Sequence, residues 1–226
     1  QNLTRYHDTL LNIEKEEENL PIVYNEYLHS WGNPTMENII PQLKIAKDVG
    51  CDYFVIDAGW FSLKGESTLG DWNERVDKFP NGLKEFSVEA KNNGFKKYGV
   101  WYELEAVTKD SILYQNHKDW VLTIDSNPIV RENRMFLDFR KEEVKEYLRE
   151  KIIKKLKDNN LSYLKLDYNE NIGLGIDGSD SYGLALKEHM DNVYNFIKEI
   201  RESVDGLILE NCSCGGMRHE ISFLNI

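Results

Sequence analysis

YLKLDY, residues 163–168, carries the clearest strand pattern in the chain, and the architecture follows from its setting. Leu164, Leu166 and Tyr168 alternate with Lys165 and Asp167, the period of two that a pleated strand imposes, and Asn169 extends the polar face. Before it, residues 142–159 carry Val144, Leu148, Ile152 and Ile153 on one helical face, and after it residues 182–204 keep the same spacing. A strand set between two amphipathic helices is the unit of a parallel βα sheet.

Five further runs repeat the pattern: residues 21–27 (PIVYNEY), 53–58 (YFVIDA), 98–104 (YGVWYEL), 135–139 (MFLDF) and 207–211 (LILEN). Residues 35–49 and 83–93 read as helices between them, with Gly50 and Gly94 as their stops. The pattern predicts an α/β fold, a (β/α)8 TIM barrel of which about six βα units are present. Closure takes eight strands, so residues 21–226 are expected to be a barrel portion truncated before its last strands. Residues 1–20 alternate charge without strand signals and read as a helical lead-in segment.

The 226 residues are 41% hydrophobic, enough for one core, and carry a formal net charge of −11. Such a surface repels phosphate backbones and anionic membranes, so neither nucleic acid nor a membrane is an expected partner. No apolar run approaches the roughly 20 residues that a membrane span requires. Three cysteines, two of them at the close pair Cys212 and Cys214, do not make a disulfide framework and favour a reducing, cytoplasmic setting.

In a βα barrel the C-terminal strand ends form the concave face. They carry Asn25, Asp57, Glu103, Glu105, Asp138, Lys165, Asp167, Asn169 and Glu210, an acidic bowl with one lysine. Lys165 stands two positions before Asp167 on the same face, and its charge would hold that carboxylate ionised, the state a nucleophile at a sugar carbon needs. A structural ion pair between the two is the alternative. Trp60, Trp72, Trp101 and Tyr102 lie at or near strand ends, where flat rings either stack on a sugar or pack in the core. Residues 70–72 (GDW) and 79–83 (FPNGL) read as turns. The glycines of NCSCGG, residues 211–216, let a ligand approach the backbone, whereas a zinc site there lacks paired histidines. GLGIDG, residues 173–178, lacks the pattern of a nucleotide loop.

Taken in order, VIDAGWF, GDWNERVDKFPNGLK, GVWYELE, LKLDYNENIGLGIDGSDSYG and ILENCSCGG resemble glycoside hydrolase family 36, the bacterial α-galactosidases, from about Pro21 to the end. The resemblance implies retaining hydrolysis of terminal α-linked galactose, as in melibiose and raffinose, without a cofactor or metal. By motif match it makes Asp167 the nucleophile and places Asp57, Trp101, Arg134, Lys165, Asn169 and the loop containing Cys212 and Gly215 around the galactoside, with Trp31 as a further wall. The family's acid/base aspartate lies downstream of NCSCGG and is expected beyond Ile226, so the chain alone is expected to be inactive. An N-terminal β-sandwich that supports quaternary assembly is also outside the chain, and a homo-oligomer is expected for the full-length protein. Three positions depart from the family pattern: Ala58 where a second aspartate is common, Cys214 for serine, and Glu220 for aspartate. Two rival functions are a class I aldolase with Lys165 as the Schiff-base lysine, and a non-catalytic sugar-binding barrel.

Overall fold

The computed structural model describes residues 2–10, 19–62, 68–218, 222–223 and 226. Its centre is a parallel sheet of five strands: β1 (Val23–Asn25), β2 (Tyr53–Ile56), β3 (Lys97–Tyr102), β9 (Tyr163–Leu166) and β10 (Ile208–Asn211), in that spatial order. Between β3 and β9 run the short strands β4 (Ala106–Thr108), β5 (Thr123–Ile124), β6 (Asn127–Pro128), β7 (Val130–Arg131) and β8 (Arg134–Phe136). The register stacks Val55, Gly99, Tyr163 and Ile208 in one row and Trp101, Lys165 and Glu210 in the next. Tyr53, Val55, Tyr163 and Ile208 pack together on one face, beneath the row that carries the charged groups.

Helices cover the other face because their apolar residues recur at three and four. The helices are α1 (Asn2–Asp8), α2 (Tyr27–Ser30), α3 (Met36–Asp48), α4 (Gly82–Asn92), α5 (Ile112–Asn116), α6 (Glu142–Leu148), α7 (Lys154–Asp158), α8 (Tyr182–Ser203) and the one-turn α9 (Ser213–Gly216). In α3, Ile39, Leu43 and Ala46 are buried, and Thr35 and Asn38 cap its start reciprocally. Gly50 and Gly94, at φ +95° and +81°, follow α3 and α4 as the sequence pattern requires. A π-helical turn, Arg149–Ile153, joins α6 to α7, and its Lys151 carbonyl accepts the buried Tyr102 hydroxyl at 2.8 Å.

One expectation is corrected. The run at residues 135–139 is not a barrel strand: β8 pairs antiparallel with β4 and β7 in a separate three-stranded sheet. The barrel portion therefore has five parallel strands among the described residues, not six, and β9 lies directly beside β3. Gly99 makes that neighbour possible, since an added Cβ would stand 1.6 Å from the Tyr163 carbonyl oxygen. Met135, Phe136 and Leu137 are all buried, so their apolar run has the look of a doubly covered parallel strand. Of the expected lead-in segment, Asn2–Asp8 is helical, and residues 11–18 lie outside the described residues.

Candidate active site

The C-terminal ends of the parallel strands open onto a cleft of about 830 Å³. Asp57, Asp167 and Glu210 line it with two cations, Arg134 and Lys165, and with Asn25, Trp101 and Asn169. These side chains converge because each follows or ends a strand of one sheet, Arg134 excepted, which enters from β8.

Asp167 stands one residue past β9, and its carboxylate accepts four N–H hydrogen bonds. Its Oδ2 accepts from Trp101 Nε1 and Asn169 Nδ2, both at 3.0 Å. Its Oδ1 accepts from the Cys214 backbone N–H at 2.9 Å and from that of Tyr168 at 3.1 Å. Burial pushes its pKa up, but these four donors outweigh burial and hold the carboxyl below the usual aspartate range. The Cys214 donor reaches it because the backbone turns left-handed at Ser213 and Cys214, φ 43° and 51°. Such conformations cost about 1–3 kcal/mol at a non-glycine residue and persist where surrounding structure enforces them.

Lys165 serves a different carboxylate from the one its sequence spacing suggests. Its Nζ donates to Asp57 Oδ2 at 2.7 Å, and Asn25 Nδ2 donates to the same oxygen at 2.6 Å. Asp57 Oδ1 accepts from the Ala58 N–H at 2.8 Å, which completes its partners. Burial would lower the Lys165 pKa, yet Asp57, with Glu210 and Cys212 adding to it, holds the ammonium above its ordinary value. Neither the nucleophile-activating nor the simple ion-pair reading of a Lys165–Asp167 couple describes this arrangement. Lys165 and Asp57 form the pair, and Asp167 stays ionised through neutral donors.

Behind the cleft, buried Glu103 organises two of its walls. It takes Arg134 in a two-pronged pair, Nε to Oε1 at 2.7 Å and Nη2 to Oε2 at 3.1 Å, and it accepts from the backbone and side-chain N–H groups of Asn169. Burial works against the Arg134 charge, but Glu103 overrides it and raises the guanidinium pKa. Asn169 thus bridges Glu103 and Asp167.

The structure brings together Asp167, Asp57, Trp101, Arg134, Lys165 and Asn169 in one cleft. Cys212, half-buried, is a thiol whose pKa rises through burial and through the nearby Asp167 charge. Gly215 is exposed at φ +72°, its N–H closing a turn onto the Cys212 carbonyl. Trp31 caps α2 in a left-handed conformation, 67% exposed; it does not itself line the cleft, but its ring meets that of Tyr27, which does. Of the wider strand-end set, Asp138 does not converge: Arg140 claims both of its oxygens. Glu105 is buried against Arg218, and Glu220 lies outside the described residues. Trp60 and Trp72 are fully buried core residues, with Trp60 Nε1 bonded to the Trp101 carbonyl. Asp71 of the GDW turn accepts the Ile112 and Leu113 N–H groups and so caps α5. The sequence gives no sign of the Cys214 N–H as a partner of Asp167, because a backbone donor leaves no side-chain signature.

A parallel βα sheet with its charged cleft at the C-terminal strand ends is the anatomy of a βα-barrel domain that binds its ligand at that rim. Comparison with known proteins makes the class specific: a profile of the Melibiase family matches residues 2–226, and the chain belongs to that family. It is 31% identical over 207 residues to the bifunctional α-galactosidase/sucrose kinase AgaSK of Mediterraneibacter gnavus, covering 90% of this chain and 22% of that protein. It is 30% identical over 225 residues to α-galactosidase 2 of Pediococcus pentosaceus, covering 97% of this chain and 31% of that protein. The crystal structure of the family 36 α-galactosidase AgaB from Geobacillus stearothermophilus superposes with a TM-score of 0.86 at 27% identity, over 97% of this chain and 31% of that one. The chain thus spans less than a third of the length of these relatives.

Proposed function

We propose that residues 21–226 form part of the catalytic barrel of a retaining α-galactosidase, with Asp167 as the nucleophile and residues 1–20 leading into it. The observation that carries the reading is the four-donor grip on Asp167, at a strand end inside the cleft. An aspartate held ionised without being neutralised by a cation keeps a lone pair for attack on an anomeric carbon. Its oxygen would bond to that carbon as the glycosidic C–O bond breaks, and a general acid would protonate the leaving oxygen. Water, deprotonated by the same group, would then release galactose with retention, and the two carboxyls would stand about 5–5.5 Å apart.

Asp57, paired with Lys165 and Asn25, supplies polar atoms suited to reading sugar hydroxyls, and Arg134, Trp101 and Asn169 complete the wall. Terminal α-galactosides such as melibiose and raffinose are the substrates this reading assigns, without a cofactor. AgaA from Geobacillus stearothermophilus has been crystallised in complex with raffinose and, as another variant, with stachyose, which supports the same class. The aldolase alternative requires a neutral amine, and Lys165 is instead held charged by Asp57.

The test uses the full-length protein and an activated 2-deoxy-2-fluoro-α-galactoside, followed by digestion and mass spectrometry. The expected outcome is a galactosyl ester on Asp167. A label on another carboxylate overturns the assignment. Galactose binding that survives Asp167→Asn, together with no turnover by the wild type, would select the non-catalytic sugar-binding barrel.

A further inference from the structure

Glu26 follows β1 and is completely buried. Its backbone N–H donates to the Val55 carbonyl at 3.1 Å, the last rung that β1 lends to β2. Beyond that rung the chain turns into α2, and the Asp57 N–H would lose its ladder partner. The Glu26 side chain replaces it: Oε1 accepts the Asp57 N–H at 3.1 Å. Asp57 then presents its carboxylate to Asn25 and Lys165 in the cleft.

A neutral amide could accept that bond at less cost than an acid. Burial pushes the Glu26 pKa up to about 7, the bond from the Asp57 amide offsets part of this, and the Asp57 charge adds to it. The groups facing Glu26 come from three elements. Asp57 follows β2, Tyr24 lies on β1 with a phenol raised by burial and by the Glu26 charge, and Lys78 precedes α4 with its Nζ on the Gly59 carbonyl at 3.0 Å. With Glu26 neutral, the Asp57 carboxylate is matched by Lys165. Ionised Glu26 adds a second buried charge beside it.

We propose that Glu26 is a positioning residue for galactoside binding, whose carboxyl fixes the Asp57 main chain and so aims the Asp57 carboxylate into the cleft. The inference rests on the α-galactosidase reading and on Asp57 as a hydroxyl-binding group.

The experiment compares wild type, Glu26→Ala and Glu26→Gln in the full-length protein. It measures kcat and KM for melibiose from pH 5 to 8.5, calorimetric binding of galactose, and fluorogalactoside labelling. Glu26→Ala is expected to raise KM and the galactose Kd about tenfold with kcat changed by less than about threefold, the size of one lost hydrogen bond. Glu26→Gln keeps the acceptor, so it is expected to restore both constants to within about twofold. Unchanged KM and Kd in Glu26→Ala would overturn the proposal. So would Glu26→Gln as impaired as Glu26→Ala. If wild type carries the label on Asp167 while any of these results is found, only the role of Glu26 fails. A wild type that neither takes label nor binds galactose refutes the functional reading itself.

Discussion

Replacing Trp101 with phenylalanine removes one of the four donors that keep Asp167 ionised and leaves a ring in its place. Trp101 Nε1 donates to Asp167 Oδ2 at 3.0 Å, and the indole stacks on Phe61 with centroids 5.8 Å apart. A hydrogen bond to a charged group contributes about 1.5–3 kcal/mol, or about tenfold to a hundredfold in the balance between carboxylate and acid. Asp167 has a depressed folded pKa, so its ionised form is lost as pH falls through that value. Losing a donor moves the loss to higher pH. Fluorogalactoside labelling of the full-length protein should therefore slow about tenfold to a hundredfold on the acid side for Trp101→Phe, and much less at pH 7.5. Lys165→Met is the matched control, because that cation is bonded to Asp57. If Lys165→Met moves the acid limb and Trp101→Phe leaves it in place, the account of Asp167 by neutral donors is wrong.

Other consequences are equally direct. Lys165→Met leaves the buried Asp57 carboxylate without its cation and should cost about 3 kcal/mol in urea unfolding, together with a raised KM for melibiose. Gly99→Ala sets a Cβ 1.6 Å from the Tyr163 carbonyl oxygen, so β3 and β9 cannot pair as they do. A loss above about 4 kcal/mol, or no soluble protein, is expected from expression and circular dichroism. Two buried groups tilt stability with pH in opposite senses. The Glu26 pKa is raised from 4.5 to about 7, so its contribution is fully present below pH 4.5 and lost as pH rises through 7. The His189 pKa is lowered from 6.5 to about 4 by burial in α8, so its contribution is lost as pH falls from 6.5 toward 4. Each spans about 3 kcal/mol, and they largely cancel. Glu26→Gln should unmask a decline in urea stability from pH 6.5 to 4.5, and an unchanged profile would refute the balance. Cys214→Gly retains the N–H to Asp167 and suits the left-handed backbone at φ 51°, so labelling should persist and stability rise by up to about 1 kcal/mol.

Much of this arrangement is legible in the chain. The period of two in residues 163–168 fixes Lys165 and Asp167 on one face, and helical spacing in residues 35–49 and 182–204 matches α3 and α8 closely. Strand ends rich in polar groups name Asp57, Lys165, Asp167 and Asn169 as cleft residues, and all four line it. These properties are local, set by alternation along a few residues, and they survive whatever the strand's neighbours are.

Tertiary structure alone decides the neighbours. Alternation states which face a side chain takes, not which strand lies beside it, so residues 134–136 could pair antiparallel with β4 while β9 moved against β3. It likewise could not assign Lys165 to Asp57, 108 positions away, in place of Asp167, two positions away. Nor could it place the Cys214 N–H on Asp167 or the buried Glu26 carboxyl under the Asp57 main chain. Hydrogen bonds and ion pairs act over about 3 Å in space, and only the packed sheet determines which groups come within that reach.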